Sequence, residues 1–571
     1  MLTGDLLVES LIDHGVEVVF GIPSGHWPMY HAIHSRPGQI RHILVRDERN
    51  GAFAADGYAR VTNKVGVCDG ARGPGLIKVV SGFAEAFNSS IPVLALADDF
   101  PGDQVHLNER GCAAQGMDQL RTLEAVSKWT ARVPSQAKLP EIVRLAFAKA
   151  TGGRPGPVAL TIPHDVFCQE WIPGSPASGG KSRNGAFPSW RVYPDPDDVE
   201  RAVRLLSQAH RPLIVAGGGV NISQAHSELR AFAEAAGIPV ATSVAGKGSI
   251  AEVSPLSAGV VGVQYGEESA NALYREADVI LLAGCKSSQQ VTFAWTLPTA
   301  AQRVVHMDID PTEIGKVFRT EVGLVADARA GFRSLTEAVR GFPQPDRSAW
   351  HRRTRELKEA WEAELAAEMS DAQSPVTPQA VMAELRKLIG PDDVVVTDAS
   401  LSIGWVVSFL DAQVDGQKFL FPRGAAGLGF GLGAAIGARL ARPKGNVVLL
   451  AGDGGFAYSI MELATLAKYG LSLVMVVLNN SCLGYNRLME RLRGETDFQS
   501  VSFPNVDFAQ VACGFGCTGV RVEQREALSR ALCHAFHVDG PVVVDVVSDG
   551  WQTPELSLRA EAKRVQREKA T

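Results

Sequence analysis

The sequence predicts an α/β protein made of three doubly wound parallel-sheet domains, on three observations. Short runs of Val, Ile, Leu and Ala alternate with helical patterns along most of the chain, as strands buried on both faces and covered by helices require. Glycine-rich turns follow several of those runs, at residues 21–25, 70–75, 216–219 and 452–455, where open sheets of this kind present their ligands. The chain is 571 residues long, too many for one core, so three or four domains are expected.

The first domain is expected over residues 1–172. Residues 4–14 read as an amphipathic helix, and 16–20 as a strand running into Gly21-Ile22-Pro23-Ser24-Gly25-His26. A second strand over 40–45 ends at Arg46-Asp47-Glu48. A helix over 51–62 and a strand over 65–69 precede the tight loop Gly70-Ala71-Arg72-Gly73-Pro74-Gly75, a further helix and a strand over 91–97. Residues 171–190, rich in Gly, Ser and Pro, read as a linker. The central domain, expected over 191–342, has strands at 211–219, 238–242, 279–284 and 304–310. The charged, helix-prone stretch 346–369 reads as a solvated connector. The third domain is expected over 375–550. It holds a buried strand at 447–451, a Gly-Asp-Gly-Gly turn, a Leu- and Ala-rich helix and a strand at 473–478, with a charged tail after the domain.

Composition narrows the partners. A formal charge of -6 gives no basic field for nucleic acid or an anionic membrane, and no apolar run is long enough to span a bilayer. The first ten residues carry acids and lack the basic start and apolar block of a signal peptide. The eight cysteines are scattered without disulfide or zinc spacing, so a reducing cytoplasm is expected.

Residues 447–480 carry the chemistry. In a parallel βαβ unit both strands end on one sheet edge. The glycines of Gly452-Asp453-Gly454-Gly455 let N–H groups approach a phosphate at a helix start. Asp453 and Asn480 bring oxygen ligands to the same edge, suited to Mg²⁺ bridging phosphate oxygens. Each half alone is a common turn or strand end; both at this spacing imply a diphosphate held through a metal.

Gly452-Asp453-Gly454 followed by Asn479-Asn480 resembles the signature of thiamine diphosphate (ThDP) enzymes, and the three similar units resemble their acetolactate synthase-like branch over nearly the whole chain. The resemblance implies that Asp453, Asn480 and the carbonyl of Cys482 hold the metal, with Gly454 and Gly455 against the diphosphate. It also implies that the cofactor's own aminopyrimidine removes the proton from C2, which requires a carboxylate at the pyrimidine nitrogen. Glu48, followed by a stretch ending in Gly57-Tyr58-Ala59-Arg60, resembles that catalytic carboxylate. In the family it serves a cofactor bound mostly by the partner's third domain, so a homodimer is the smallest working unit, and many relatives are homotetramers.

Residues 423–437 resemble the loop and helix beside the aminopyrimidine. There the Ala426 carbonyl and Leu428 N–H would meet the pyrimidine edge, and the Leu428 side chain would wedge between the two rings. By the same resemblance the Leu401 N–H and Ser402 hydroxyl lie near the diphosphate. His26 stands where benzaldehyde lyase, of the same superfamily, has an active-site His, and Gln115 resembles the active-site Gln of acetolactate synthases. Arg72 and Lys78 depart from the family pattern; they are candidates either for an anionic substrate group or for ion pairs with Asp98, Asp99 or Asp103. Tyr485, Met489 and Arg493 lie at helical spacing toward the substrate pocket, where core or surface roles are equally open.

The function expected is a ThDP- and Mg²⁺-dependent lyase or carboligase acting on a 2-oxo acid or 2-hydroxy ketone, acetolactate synthase-like in its leading form. Simple decarboxylation, and lyase activity on acyloins or 2-hydroxyacyl-CoA, are the alternatives. A dinucleotide-dependent oxidoreductase is a remote one: Ala216-Gly217-Gly218-Gly219 follows a strand but completes no Gly-x-Gly-x-x-Gly. FAD is not expected, because residues 284–290 lack the Arg of FAD-binding relatives. A non-catalytic scaffold is opposed by Glu48 together with the intact metal motif.

Overall fold

The computed structural model describes residues 1–107, 112–171, 185–370, 375–556, 558 and 559. Most of the expected linker, the expected end of the first domain at 172 and the final charged tail lie outside the described residues. The rest forms three six-stranded parallel sheets. The first contains β1 (Val18–Gly21), β2 (Arg41–Leu44), β3 (Gly66–Gly70), β4 (Val93–Asp99), β5 (Trp129–Arg132) and β6 (Val158–Pro163) in the order β2-β1-β3-β4-β6-β5. The second contains β7 (Pro212–Ala216), β8 (Val240–Ser243), β9 (Ser257–Val261), β10 (Val279–Ala283), β11 (Arg303–Asp308) and β12 (Val322–Val325), ordered β12-β11-β10-β7-β8-β9. The third contains β13 (Val394–Thr397), β14 (Phe419–Leu420), β15 (Val447–Gly452), β16 (Leu473–Asn479), β17 (Thr518–Val522) and β18 (Pro541–Val547), ordered β14-β13-β15-β16-β18-β17.

The first and third sheets share one topology, with β13 and β15 standing where β1 and β3 stand. Both reverse direction there, and ligands in such sheets bind outside the strand ends at the reversal. That places the loops after β1 and β3, and those after β13 and β15, where chemistry is expected.

The two outer domains meet through a close helix crossing. The helix Glu48–Thr62 packs on the helix Phe430–Ala441. Glycines permit the approach: a Cβ on Gly437 would lie 1.9 Å from the Ala54 carbonyl oxygen, and one on Gly57 would lie 2.2 Å from that of Ala434. The first helix begins at 48 rather than 51 because the Asp47 carboxylate accepts from the Arg49 N–H (2.9 Å) and caps it.

The stretch expected as a solvated connector is the helix Ser348–Met369, and it is only partly solvated. Trp350, Trp361 and Leu365 are buried, Trp350 against the central domain and the other two against the third. Cys513 and Cys517 do not share a helix face, since the helix Phe508–Gly514 ends between them. Among the described residues, no helix is long and apolar enough to cross a membrane.

Candidate active site

β15 delivers Asp453 to the sheet edge as the first residue of the helix Asp453–Ala457. Its carboxylate is buried and accepts three main-chain N–H groups: Gly454 (2.8 Å) on Oδ1, and Asn480 (3.0 Å) and Ser481 (2.6 Å) on Oδ2. The turn after β15 is thereby fastened to the end of β16. Burial outweighs those hydrogen bonds and pushes the Asp453 carboxyl up to about 6, a cost that a nearby cation would relieve. Asn480 Oδ1 faces the Cys482 N–H at 3.2 Å. Among the described residues no group of three His, Cys, Asp or Glu side chains forms a metal site. The donors expected from the sequence are one carboxylate, one amide oxygen and one main-chain carbonyl, which would make a hard-oxygen set. A side chain on Gly452 or Gly427 would meet nothing within 4 Å, so open space borders both this turn and the loop at 424–428.

Asp398, one residue past β13, binds these loops together. Its Oδ1 accepts from Gly429 N–H (3.0 Å) and Ala399 N–H (2.8 Å), and its Oδ2 from Gly431 N–H (2.8 Å). A Cβ on Gly455 would lie 2.4 Å from Oδ1. Half-buried Leu401 and buried Ser402 open the helix Leu401–Phe409, and Leu428, half-buried, precedes Gly429. Ser400, Ala426 and Ser481 have φ of 72°, 55° and 56°. Left-handed backbone at non-glycine residues costs free energy; three of the ten such residues among those described fall on the three loops proposed from sequence.

In the first domain, Glu48 is buried at the start of its helix. It faces the helix Pro74–Ser89: a Cβ on Gly75 would lie 2.8 Å from Oε1, and Lys78 Nζ is 3.1 Å from Oε2. Lys78 also lies 3.7 Å from Asp47, so its partners are Asp47 and Glu48 rather than Asp98, Asp99 or Asp103. Arg72 does meet Asp98: its N–H donates to Oδ1 (3.2 Å), its guanidinium is 3.7 Å from Oδ2, and it lies over the Phe100 ring at 4.0 Å.

His26 is buried among charged groups rather than open to a cavity. Nε2 is 2.9 Å from Asp69 Oδ2 and 2.5 Å from the Tyr30 hydroxyl, and Nδ1 is 3.3 Å from Ser24 Oγ and 3.6 Å from Asp98 Oδ1. Burial pulls the imidazole down, but Asp69 and Asp98 prevail and hold it at about 9. Burial likewise opposes the charge on Asp69, yet His26 and His42 bring that carboxyl to about 2. The glycines of this loop are required, since a Cβ on Gly21 would lie 2.1 Å from Asp69 Oδ1 and one on Gly25 would lie 2.3 Å from Asp98 Oδ2.

Gln115 is exposed with φ 63°, its carbonyl against Gly73. Buried Gln119, four residues on, holds the glycine turn, accepting from Gly73 N–H (3.0 Å) and donating to the Asp98 carbonyl (3.1 Å). Tyr485 and Met489 pack with Leu488, Trp551 and Leu558, so both are at least partly engaged by the C-terminal segment. Arg493 caps their helix.

Sequence reasoning missed Asp398, Asp69, Gln119 and two buried glutamates. Glu85 accepts from Gly424 N–H (2.8 Å), Ala425 N–H (2.8 Å) and Ala426 N–H (3.1 Å). Glu462 accepts from Arg46 N–H (2.9 Å), Asp47 N–H (3.2 Å) and the Asn50 amide (3.1 Å). Asp398 and Asp69 had a signal, an acid at the end of an apolar strand.

The central domain carries a cavity of about 710 Å³ at its own reversal, between β7 and β10. Gly219, Gly284, Lys286 and Asp308 line it, and Gly424 and Ala426 border it from the third domain. The segment 284–290, where no FAD was expected, therefore borders a cavity. Burial pulls Lys286 down to about 8 and pushes Asp308 up to about 6.

Comparison with known proteins fits this geometry. Residues 1–122 match the thiamine pyrophosphate enzyme N-terminal TPP binding domain, 199–335 the central domain and 398–546 the C-terminal TPP binding domain. A probable acetolactate synthase large subunit of Methanocaldococcus jannaschii is 33% identical over 559 residues, covering 96% of this chain and 92% of the relative. The acetolactate synthase large subunit of Parasynechococcus marenigrum is 35% identical over 553 residues, 95% and 86% of the two chains. The acetolactate synthase isozyme 2 large subunit of Escherichia coli is 30% identical over 553 residues, 95% of each.

Proposed function

This chain belongs to the thiamine pyrophosphate enzymes, in the branch that holds the acetolactate synthases, and on that premise we propose that it decarboxylates a small 2-oxo acid and joins the remaining acyl carbon to a second carbonyl. The observation that carries the reading is the fastening of Asp453 to Asn480 and Ser481 at the edge of a TPP binding domain. When bound, thiamine diphosphate supplies a nucleophilic carbon that adds to a carbonyl and accepts the electron pair released as the neighbouring bond breaks.

The residues divide the remaining work. Asp453, the Asn480 amide oxygen and the Cys482 carbonyl hold Mg²⁺, and the N–H groups of Gly454, Gly455 and Leu401 with the Ser402 hydroxyl take diphosphate oxygens. The Ala426 carbonyl and Leu428 N–H hold the pyrimidine edge, and Leu428 fills the angle between the rings. Glu48 holds a proton at the pyrimidine nitrogen. Gln115 donates a hydrogen bond at the reacting carbonyl. His26, held between Asp69 and Asp98, braces the loop it ends.

The acid is supplied by a second copy of the chain. On the helix Glu48–Thr62, the face bearing Asn50, Ala54 and Gly57 lies on the helix Phe430–Ala441, whereas Glu48 and Ala52 face the helix Pro74–Ser89 at Gly75 and Gly82. Glu48 sits at the first turn of Pro74–Ser89, and the loop at 424–426 is held at its last by Glu85. Ten residues separate the two positions, about 15 Å of helix. This separation within one chain supports a site completed across a homodimer, which a homotetramer contains twice. A small-subunit partner is suggested by relatives named large subunits.

The test is incubation with ThDP, Mg²⁺ and a panel of 2-oxo acids and acyloins, with products read by mass. Joined products such as acetolactate support the reading. Aldehyde alone favours simple decarboxylation, cleavage of acyloins or 2-hydroxyacyl-CoA favours the lyase, and no ThDP-dependent turnover rejects all three. A yellow purified protein would overturn the expectation that FAD is absent.

A further inference from the structure

Two buried glutamates cross between the outer domains in opposite directions. Glu85, on the segment that follows β3, gathers the N–H groups of three consecutive residues of the third domain, Gly424, Ala425 and Ala426. Glu462, on the segment that follows the topologically equivalent β15, gathers the N–H groups of Arg46 and Asp47 and the Asn50 amide of the first domain. Each is 1% exposed or less. Glu85 is backed by Arg60, which lies 3.3 Å from its Oε1, pairs with Asp56 and donates to the Phe421 carbonyl (3.0 Å). Glu462 is backed by the Thr465 hydroxyl at 2.6 Å.

We propose that Glu85 and Glu462 are reciprocal positioning residues, each reaching out of its own domain to fix the loop with which the other domain addresses the cofactor. The inference rests on the reading that residues 424–428 face the aminopyrimidine and that Glu48 is its acid. Glu85 acts on the pyrimidine loop of its own chain. An anion accepting three successive N–H groups turns all three toward itself, directing the Ala426 peptide and holding that residue at φ 55°. Glu462 acts on the acid, because the N–H groups it accepts belong to the two residues before Glu48. A carboxylate is needed at Glu85, where both oxygens accept N–H groups and the NH₂ of an amide would face a donor. At Glu462 one oxygen accepts all three N–H groups and the other takes the Thr465 hydroxyl, so an amide oxygen can replace it.

The two residues should therefore fail in different measurements. With Glu85→Gln, ThDP affinity in the presence of Mg²⁺ should fall by about ten- to a hundredfold, the range for losing a charge-assisted hydrogen bond. Affinity for Mg²⁺ with inorganic pyrophosphate, which engages only the other loop, should stay within about twofold. With Glu462→Ala, ThDP affinity should hold while exchange of the cofactor's C2 proton slows. Glu462→Gln, which keeps the one accepting oxygen, should stay close to the wild-type exchange rate. An unchanged rate in Glu462→Ala would overturn its role. Charge-retaining Glu85→Asp and Glu462→Asp should show smaller effects in the same directions. In the cofactor-free wild-type protein, amide hydrogen exchange at 425 and 426 should already be slow. Fast exchange there would overturn the proposal without any variant. So would ThDP and pyrophosphate affinities falling together in Glu85→Gln, the sign of a purely structural role, or both being unchanged. Failure of wild-type protein to bind ThDP would instead reject the functional reading itself.

Discussion

Gly437→Ala tests the helix crossing beside the two loops proposed to meet the cofactor. The added Cβ would lie 1.9 Å from the Ala54 carbonyl oxygen, 2.7 Å from the Tyr58 nitrogen and 2.8 Å from the Ala54 carbonyl carbon. All three are backbone atoms and cannot swing aside. Restoring ordinary contact requires the helices Glu48–Thr62 and Phe430–Ala441 to part by about 1.5 Å. Overpacking of this kind costs about 3 kcal/mol, the upper part of the usual range. At about 2–4 °C per kcal/mol for a domain of this size, the melting temperature should fall by roughly 6–12 °C. ThDP affinity should fall with it, because Glu48 opens one helix and Leu428 precedes the other. Gly514→Ala is the control: its Cβ meets nothing within 4 Å and it ends a helix, so it should be neutral or stabilising by up to about 1 kcal/mol. Circular dichroism melts and fluorescence titration with ThDP read both. A Gly437→Ala protein melting within about 2 °C of wild type would refute the claim that this crossing admits no side chain.

Asp69→Asn should destabilise the first domain by about 3–5 kcal/mol, the usual result of stripping one partner from a buried ion pair. The sign with pH follows from both groups. His26 is raised from 6.5 to about 9, so its contribution is full below 6.5 and lost as pH rises through 9. Asp69 is lowered from 3.8 to about 2, so its contribution is full above 3.8 and lost as pH falls through 2. The stability gap between wild type and variant should be widest between about pH 4 and 6.5 and should close above 9; a gap constant from pH 5 to 10 in urea melts would contradict the assignment. Asp453→Ala should weaken Mg²⁺ and ThDP together by more than about tenfold in calorimetry; unchanged ThDP affinity would remove Asp453 from the metal site.

The sequence made legible what depends on local pattern. Strands such as those at 447–451 and 473–478 stood out because parallel strands are continuously apolar, and they extend to Gly452 and Asn479. The Gly452-Asp453-Gly454 and Asn479-Asn480 pair was readable as a unit because both halves flank one βαβ unit. Less legible was whatever depends on two distant segments meeting. Nothing near residue 85 or 462 announces a partner in another domain, and Glu85 reads as one polar position on an amphipathic helix. Lys78 was open to an anionic substrate group or to Asp98, Asp99 and Asp103, but one helical turn from Gly75 brings it to Asp47 and Glu48 instead. His26 was assigned from its neighbours in the chain, whereas Asp69 and Asp98, which set its charge, arrive from β3 and β4. The reading of 346–369 as a connector weighed its charge and overlooked the widely spaced Trp350, Trp361 and Leu365.

The division of one site between two chains is tested most directly by a hybrid. Glu48→Gln removes the acid and Asp453→Ala removes the metal ligand, so each homo-oligomer should lack ThDP-dependent consumption of the 2-oxo acid. Co-expression with two different tags, followed by tandem purification, isolates assemblies containing both chains. A hybrid dimer then combines intact Asp453 from one chain with intact Glu48 from the other in one of its two sites, and should regain about half of wild-type activity. Hybrids as inactive as either parent would mean that acid and metal must come from the same chain.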